Sequence, residues 1–115
     1  MTSGITFKQG EILIVPFPFS DLSNTKQRPV LVLSTDRYNK QTEDIITCGI
    51  TSHLKDSQHS VLIDNNNLEE GNIPKQSRIK VDKLFTLEQS IVRKSVGKIN
   101  KSTFNKVKNE FFKLL

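Results

Sequence analysis

Four positions in this sequence combine a reactive side chain with a local frame able to present it. Arg28 directly precedes Pro29 and the apolar run Val30–Leu33. Proline biases the residue before it toward extended backbone, so Arg28 is expected where a polar loop meets a buried strand. A guanidinium held there is a planar fork for phosphate oxygens. Thr51 lies at the end of a strand candidate, Asp44–Ser52. A period of two places Ile46, Cys48 and Ile50 on one face and Thr47, Gly49 and Thr51 on the other. The Thr51 hydroxyl, with Ser52 beside it, is thereby turned from the core toward a groove. Lys80 and Asp82 share the polar face of an alternating segment, Ser77–Lys83, about 7 Å apart and opposite Ile79 and Val81. A carboxylate with a cationic neighbour stays ionised at neutral pH and can accept a proton.

Each of these residues also has an ordinary use: a surface arginine, a β-branched strand former, an exposed ion pair of little energetic weight. His53 and His59 flank a loop and are candidates for acid–base chemistry, the usual work of an imidazole. No serine or cysteine stands in a nucleophile elbow, Cys48 falls in an apolar strand, and there is no phosphate-binding glycine loop. Both histidines read as surface residues.

The elements that must position these groups are short. Gly10–Phe19 is rich in β-branched and aromatic residues and reads as a buried strand. Pro16 and Pro18 cannot donate to a ladder, which puts that end at an edge or bulge. Ser20–Gln27 reads as a loop, Pro29–Leu33 as a second strand, Asp44–Ser52 as a third and Ser60–Ile63 as a fourth. Asn65–Asn67 signals a loop, and Leu68–Glu70 runs to a stop at Gly71. Ser77–Lys83 is a further strand, with Leu84–Leu87 extending or following it. Asn100 can cap a C-terminal helix with Phe104, Val107, Phe111 and Phe112 at helical spacing and Leu114 and Leu115 finishing the stripe. The pattern predicts a mainly β (α+β) domain spanning residues 1–115: a small curled β-sheet or barrel with an amphipathic C-terminal helix.

Composition narrows the function classes. The 115 residues suit one domain. No apolar stretch approaches the ~20 residues of a membrane span, and Met1–Gly10 has no secretory-type segment. One cysteine excludes an intramolecular disulfide, and with two histidines it gives no zinc-type spacing. A cytosolic location is expected. The net charge of +5 is unevenly spread, −3 over residues 1–74 and +8 over residues 75–115. A basic half of this kind suits a polyanionic partner, although it also serves as a solvated surface.

Taken in order, the segments resemble the MazF/PemK/Kid family of toxin endoribonucleases. The matching pieces are Gly10-Glu11-Ile12, Arg28-Pro29-Val30-Leu31-Val32, Ile50-Thr51-Ser52, Ser77, Val81–Leu87 and Gly97-Lys98-Ile99 before the helix. Pro16–Ser23 is similar to a PemK-like branch. The resemblance implies an SH3-like small barrel, a homodimer, and metal-independent cleavage of single-stranded RNA with no cofactor. It maps the catalytic positions to Arg28, Thr51 and Asp82, and the RNA contacts to Lys80, Ser52, Phe17 and Ser77. It further implies a cognate antitoxin with an acidic C-terminal segment, and DNA binding together with that antitoxin. The sequence departs from the family where Ser20–Gln27 lacks glycines and where Lys83 and Phe85 stand in place of common Gln and Arg.

The implied chemistry is attack of an RNA 2′-hydroxyl on the adjacent phosphorus, giving a 2′,3′-cyclic phosphate and a 5′-hydroxyl. Asp82 is the proton acceptor on offer, and Arg28 supplies charge stabilisation. Two other readings stay open: a non-catalytic toxin of the CcdB type, and a small barrel that binds RNA without cutting it. Phe17, Phe19 or Tyr38 could stack on bases in either RNA reading, although core packing explains the phenylalanines as well.

Overall fold

The computed structural model describes residues 6–17, 26–55 and 58–115. Seven strands form one antiparallel sheet: β1 (Glu11–Phe17), β2 (Lys26–Val32), β3 (Asp44–Thr51), β4 (Ser60–Ile63), β5 (Leu68–Gly71), β6 (Ser77–Glu88) and β7 (Lys94–Ile99). Two helices accompany them, α1 (Asp36–Gln41) and α2 (Lys101–Phe112). The strand order is β4-β6-β3-β2-β1-β7-β5.

That order forces the sheet to curl. β4 and β5 sit at opposite edges, and a flat sheet would hold them six strand spacings apart, about 29 Å. The chain from Ile63 to Leu68 reaches only about 17 Å even when extended, and Asn65–Asn67 is wound into a 3₁₀ turn. The edges must therefore come round toward each other. The concave core confirms it: Ile12, Leu31, Cys48, Ile50, Val61, Ile63, Ile79, Val81 and Ile99 pack as one cluster with Val107 of α2. Asn100 caps α2 by accepting the Thr103 backbone N–H at 2.9 Å, and Asn67 Nδ2 donates to Thr103 Oγ1 at 3.1 Å, tying the edge turn to the helix.

The outer face is apolar too. Leu13, Val15, Val30, Val32, Ile45 and Leu87 form a second cluster against Phe7, Phe85, Ile91 and Val92. Strands buried on both faces explain why β1 and β2 read as nearly continuous apolar runs.

The mainly β fold with a C-terminal helix stands as expected, and several boundaries change. Lys26 and Gln27 belong to β2 rather than to a loop, so Arg28 is a strand residue paired with Val15 instead of a loop–strand junction. Pro18, Phe19 and Ser20–Thr25 lie outside the described residues. Pro16 lies beyond the last β1–β7 pair, Ile14↔Lys94, so its missing N–H meets no neighbour on that side. Leu68–Gly71 and Lys94–Ile99 are strands, and Asp36–Gln41 is a helix capped by Thr35. The C-terminal apolar stripe is shorter than its spacing suggests. Val107 is buried, whereas Phe112 is 57% and Leu115 87% exposed.

Candidate functional site

The outer face carries its polar groups in two cross-strand rows near one end of β2, β3, β6 and β4. In antiparallel pairs, residues directly opposite share a face. Val30 pairs with Gly49, Gly49 with Lys80, and Lys80 with Ser60, which makes one row. Thr51 pairs with Arg78 and Arg78 with Leu62, which makes the next. Extending the β2–β3 register by two residues brings Arg28 opposite Thr51, on the same row.

Between the rows lies a cleft of about 210 Å³, lined by Phe17, Arg28, Gly49, Thr51, Lys80, Lys83 and Phe85 among others. Gly49 lies on its floor, where a Cβ would sit at ordinary contact distance, 3.7 Å from the Lys83 Cβ and 3.8 Å from Phe85 Cε2. The Arg28 guanidinium is exposed and lies over the Phe17 ring, 5.7 Å from its centroid. Phe17 stands edge-on to Phe85, with ring centroids 6.5 Å apart. Thr51 Oγ1 accepts the His53 backbone N–H at 3.1 Å, which leaves the hydroxyl proton to donate elsewhere. Among the described residues, no carboxylate forms a salt bridge with Arg28, Lys80 or Lys83. Three cations around one small cleft create a positive potential that attracts an anion.

Lys83 reaches this cleft because β6 departs from its alternation. Cys48 pairs with Leu84, yet the next β3 residue, Gly49, pairs with Lys80. Val81, Asp82 and Lys83 therefore form an excursion with no β3 partner, and bulges of this kind re-aim side chains. Strict alternation from Val81 would have turned Lys83 inward. Instead Lys83 lines the cleft, and Leu84 is 45% exposed.

Arg28, Thr51, Lys80 and Phe17 thus meet in one place. Asp82 is exposed on the excursion and is not among the cleft-lining residues. Its negative charge nevertheless acts on Cys48, whose thiol is pushed up to about 12, first by burial and second by Asp82. Ser52 is exposed just beyond Thr51 and does not line the cleft. Ser77 begins β6 next to Arg78 but is buried on the opposite, core-facing side across from Ile63, where its hydroxyl donates to the Lys75 carbonyl at 3.0 Å. Sequence patterning alone did not place Lys83, Phe85 or Arg78 at the site. The first two line the cleft, and Arg78 stands beside Thr51 with Nη1 donating to Ser60 Oγ at 3.1 Å. Alternation along Ser77–Lys83 already sets Arg78 on the polar face with Lys80 and Asp82, and the cross-strand register is what brings it beside Thr51.

The fold is shared with solved toxin structures. An endoribonuclease in complex with its cognate antitoxin, from a mycobacterial species, superposes with a TM-score of 0.76 at 16% identity, over 93% of this chain and 92% of that one. MazF from Deinococcus radiodurans gives 0.76 at 19% identity, over 96% and 97%. A MazE–MazF complex from the same organism gives 0.78 at 19% identity, over 96% of both chains. At such identities these likenesses establish the fold alone. No curated protein sequence matches the chain. Residues 8–115, nearly the whole chain, match the family model of the PemK-like, MazF-like toxin of type II toxin–antitoxin systems, and the protein belongs to that family.

Proposed function

We propose that this toxin is an endoribonuclease that cuts single-stranded RNA without a metal ion, and that the cleft between β2, β3 and β6 is its active site. The observation that carries the reading is the convergence of Arg28, Thr51 and Lys80 on one anion-attracting cleft. Structural neighbours described as endoribonucleases support it.

In this mechanism the scissile phosphate lies against Arg28, whose fork pairs with two phosphate oxygens. The Thr51 hydroxyl donates to a non-bridging oxygen, and Lys80 and Lys83 hold adjacent backbone. Asp82, carried on the same excursion as Lys83, accepts the 2′-hydroxyl proton. The 2′-oxygen then bonds to phosphorus, the bond to the 5′-oxygen breaks, and water protonates the leaving oxygen. The products are a 2′,3′-cyclic phosphate and a 5′-hydroxyl. Charge developing on the phosphorane is met by donors already in place, and preorganised donors of this kind usually lower the barrier more than any other single effect. Ser52 extends the RNA contacts beyond Thr51, and Phe17 offers a ring face for stacking. Ser77, buried away from the cleft, supports the strand rather than the substrate.

The partners follow the same electrostatics. In this reading the toxin works in the cytoplasm as a homodimer and is held inactive by a cognate antitoxin. The antitoxin's acidic C-terminal segment pairs with Arg28 and Lys80 in place of phosphates. Complexes of neighbours with their antitoxins support such a partner.

The test is incubation of purified protein with single-stranded RNA in excess EDTA, followed by analysis of the new ends. Cleavage that persists and leaves cyclic phosphate ends is expected. Cleavage abolished by chelation, or equal cutting of DNA, overturns the mechanism. Binding without cleavage would favour an RNA-binding barrel.

A further inference from the structure

A second groove begins where the first row ends. It holds about 570 Å³ between β4 and α2, and its walls are Ser60, Val61, Lys106, Asn109, Glu110 and Lys113. Ser60 is the register partner of Lys80, so the two stand side by side on the outer face about 5 Å apart. The cleft that ends at Lys80 and the groove that starts at Ser60 are consecutive. Arg78 links them, donating to Ser60 Oγ while paired across the sheet with Thr51.

We propose that the RNA path continues out of the cleft, over β4 at Ser60, and onto α2, with Lys106 as a phosphate anchor for flanking nucleotides. This rests on the endoribonuclease reading of the cleft and adds a second subsite to it. The two lysines of the groove are not equivalent. Lys113 is paired with Glu110, Nζ to Oε2 at 2.8 Å, while Lys106 forms no salt bridge among the described residues. Lys106 is therefore the cation left to meet a phosphate. The groove favours nucleic acid over a peptide. Its ionised side chains, Lys106 and Lys113 against Glu110, leave it net positive, which complements a polyanion such as RNA. Phosphate tracking needs cations and hydrogen-bond donors, which this wall supplies.

The experiment compares wild type, Lys106→Gln and Lys108→Gln, the last an exposed α2 lysine outside the groove. Each is titrated with non-cleavable 2′-O-methyl RNA pools of random sequence, one of about five and one of about fifteen nucleotides, within the range of known single-strand site sizes. Lys106→Gln should bind the longer pool several-fold more weakly, with the salt slope reduced by about 0.7, and bind the shorter pool as wild type does. Lys108→Gln should match wild type on both. Equal behaviour of the two variants on the longer pool overturns the α2 path. So does a Lys106→Gln defect confined to antitoxin binding, which would assign the groove to the peptide. Wild-type cleavage of cellular RNA, measured alongside, separates the two readings. If it is intact while Lys106→Gln is silent, only the path fails. If wild type neither binds nor cuts, the active-site reading fails with it.

Discussion

The Arg28 guanidinium rests over the face of Phe17, its central carbon 5.7 Å from the ring centroid. A ring face attracts a cation by about 0.5–1 kcal/mol at an exposed site. Phe17 is itself braced edge-on by Phe85. An otherwise exposed arginine thereby gains a preferred orientation over the cleft.

Arg28→Ala should lower the rate of RNA cleavage by about a hundredfold or more, the usual effect of removing one preorganised transition-state donor. Stability should fall by no more than about 1 kcal/mol, because the side chain is exposed and the contact with the Phe17 ring is the main interaction lost. Arg28→Lys keeps the charge and loses the fork, so it should recover only part of the rate. Single-turnover cleavage and thermal melts of the three proteins decide it. A wild-type rate in Arg28→Ala would remove the arginine from the mechanism.

Asp82→Asn separates catalysis from binding. The carboxylate is a negative charge on the excursion between Lys80 and Lys83, so its removal should leave affinity for non-cleavable RNA equal or higher. Cleavage should fall by about 10²–10⁴, the range for loss of a general base. If cleavage is unchanged, the proton acceptor is another group.

How much of this was legible in the sequence depended on which force shapes each element. β4 carries its own alternation, and α2 has a capping asparagine with Phe104 and Val107 at helical spacing, so both were readable. β5 reads Leu-Glu-Glu-Gly and β7 Lys-Ser-Val-Gly-Lys-Ile. Neither shows a period, and their strand form is imposed by pairing with each other and, for β7, with β1. Arg28, Thr51 and Lys80 were found from local context, and their convergence follows from register. Lys83 was hidden, because the excursion after Lys80 is invisible to a period of two.

Gly71 tests the closure of the sheet. It has φ +76°, and a Cβ there would overlap the Val96 carbonyl oxygen of β7. Gly71→Ala should therefore cost about 1–3 kcal/mol through backbone strain, with the steric overlap adding to it. Denaturant unfolding should show a lower midpoint. Gly49→Ala, where a Cβ meets only ordinary contacts, is the control and should unfold close to wild type.

Cys48 gives a pH dependence with a definite sign. Its thiol is pushed from 9.0 up to about 12 by burial and, secondly, by Asp82, so the folded state keeps its proton while the unfolded state releases it. The contribution to stability is full below pH 9.0 and is lost progressively as pH rises toward about 12. The loss approaches about 1.4 kcal/mol per pH unit in that window. Cys48→Ala should show a flatter stability profile above pH 9.0 than wild type, whatever its stability at neutral pH. The native thiol should also resist alkylation until the chain unfolds.

The pairing of β1 with β7 joins Glu11 to Lys98, residues far apart along the chain. Val107 of α2 seals the core that β4 and β6 begin. A ribosome making this toxin therefore extrudes six strands before the seventh can lock the first in place. Contacts of such long sequence separation form slowly and late. The cleft residues Arg28, Thr51 and Lys80 have all been synthesised well before then, but the sheet holding them is completed only when β7 pairs with β1 and β5. The cleft therefore takes its final form only after β7 has been added to the sheet.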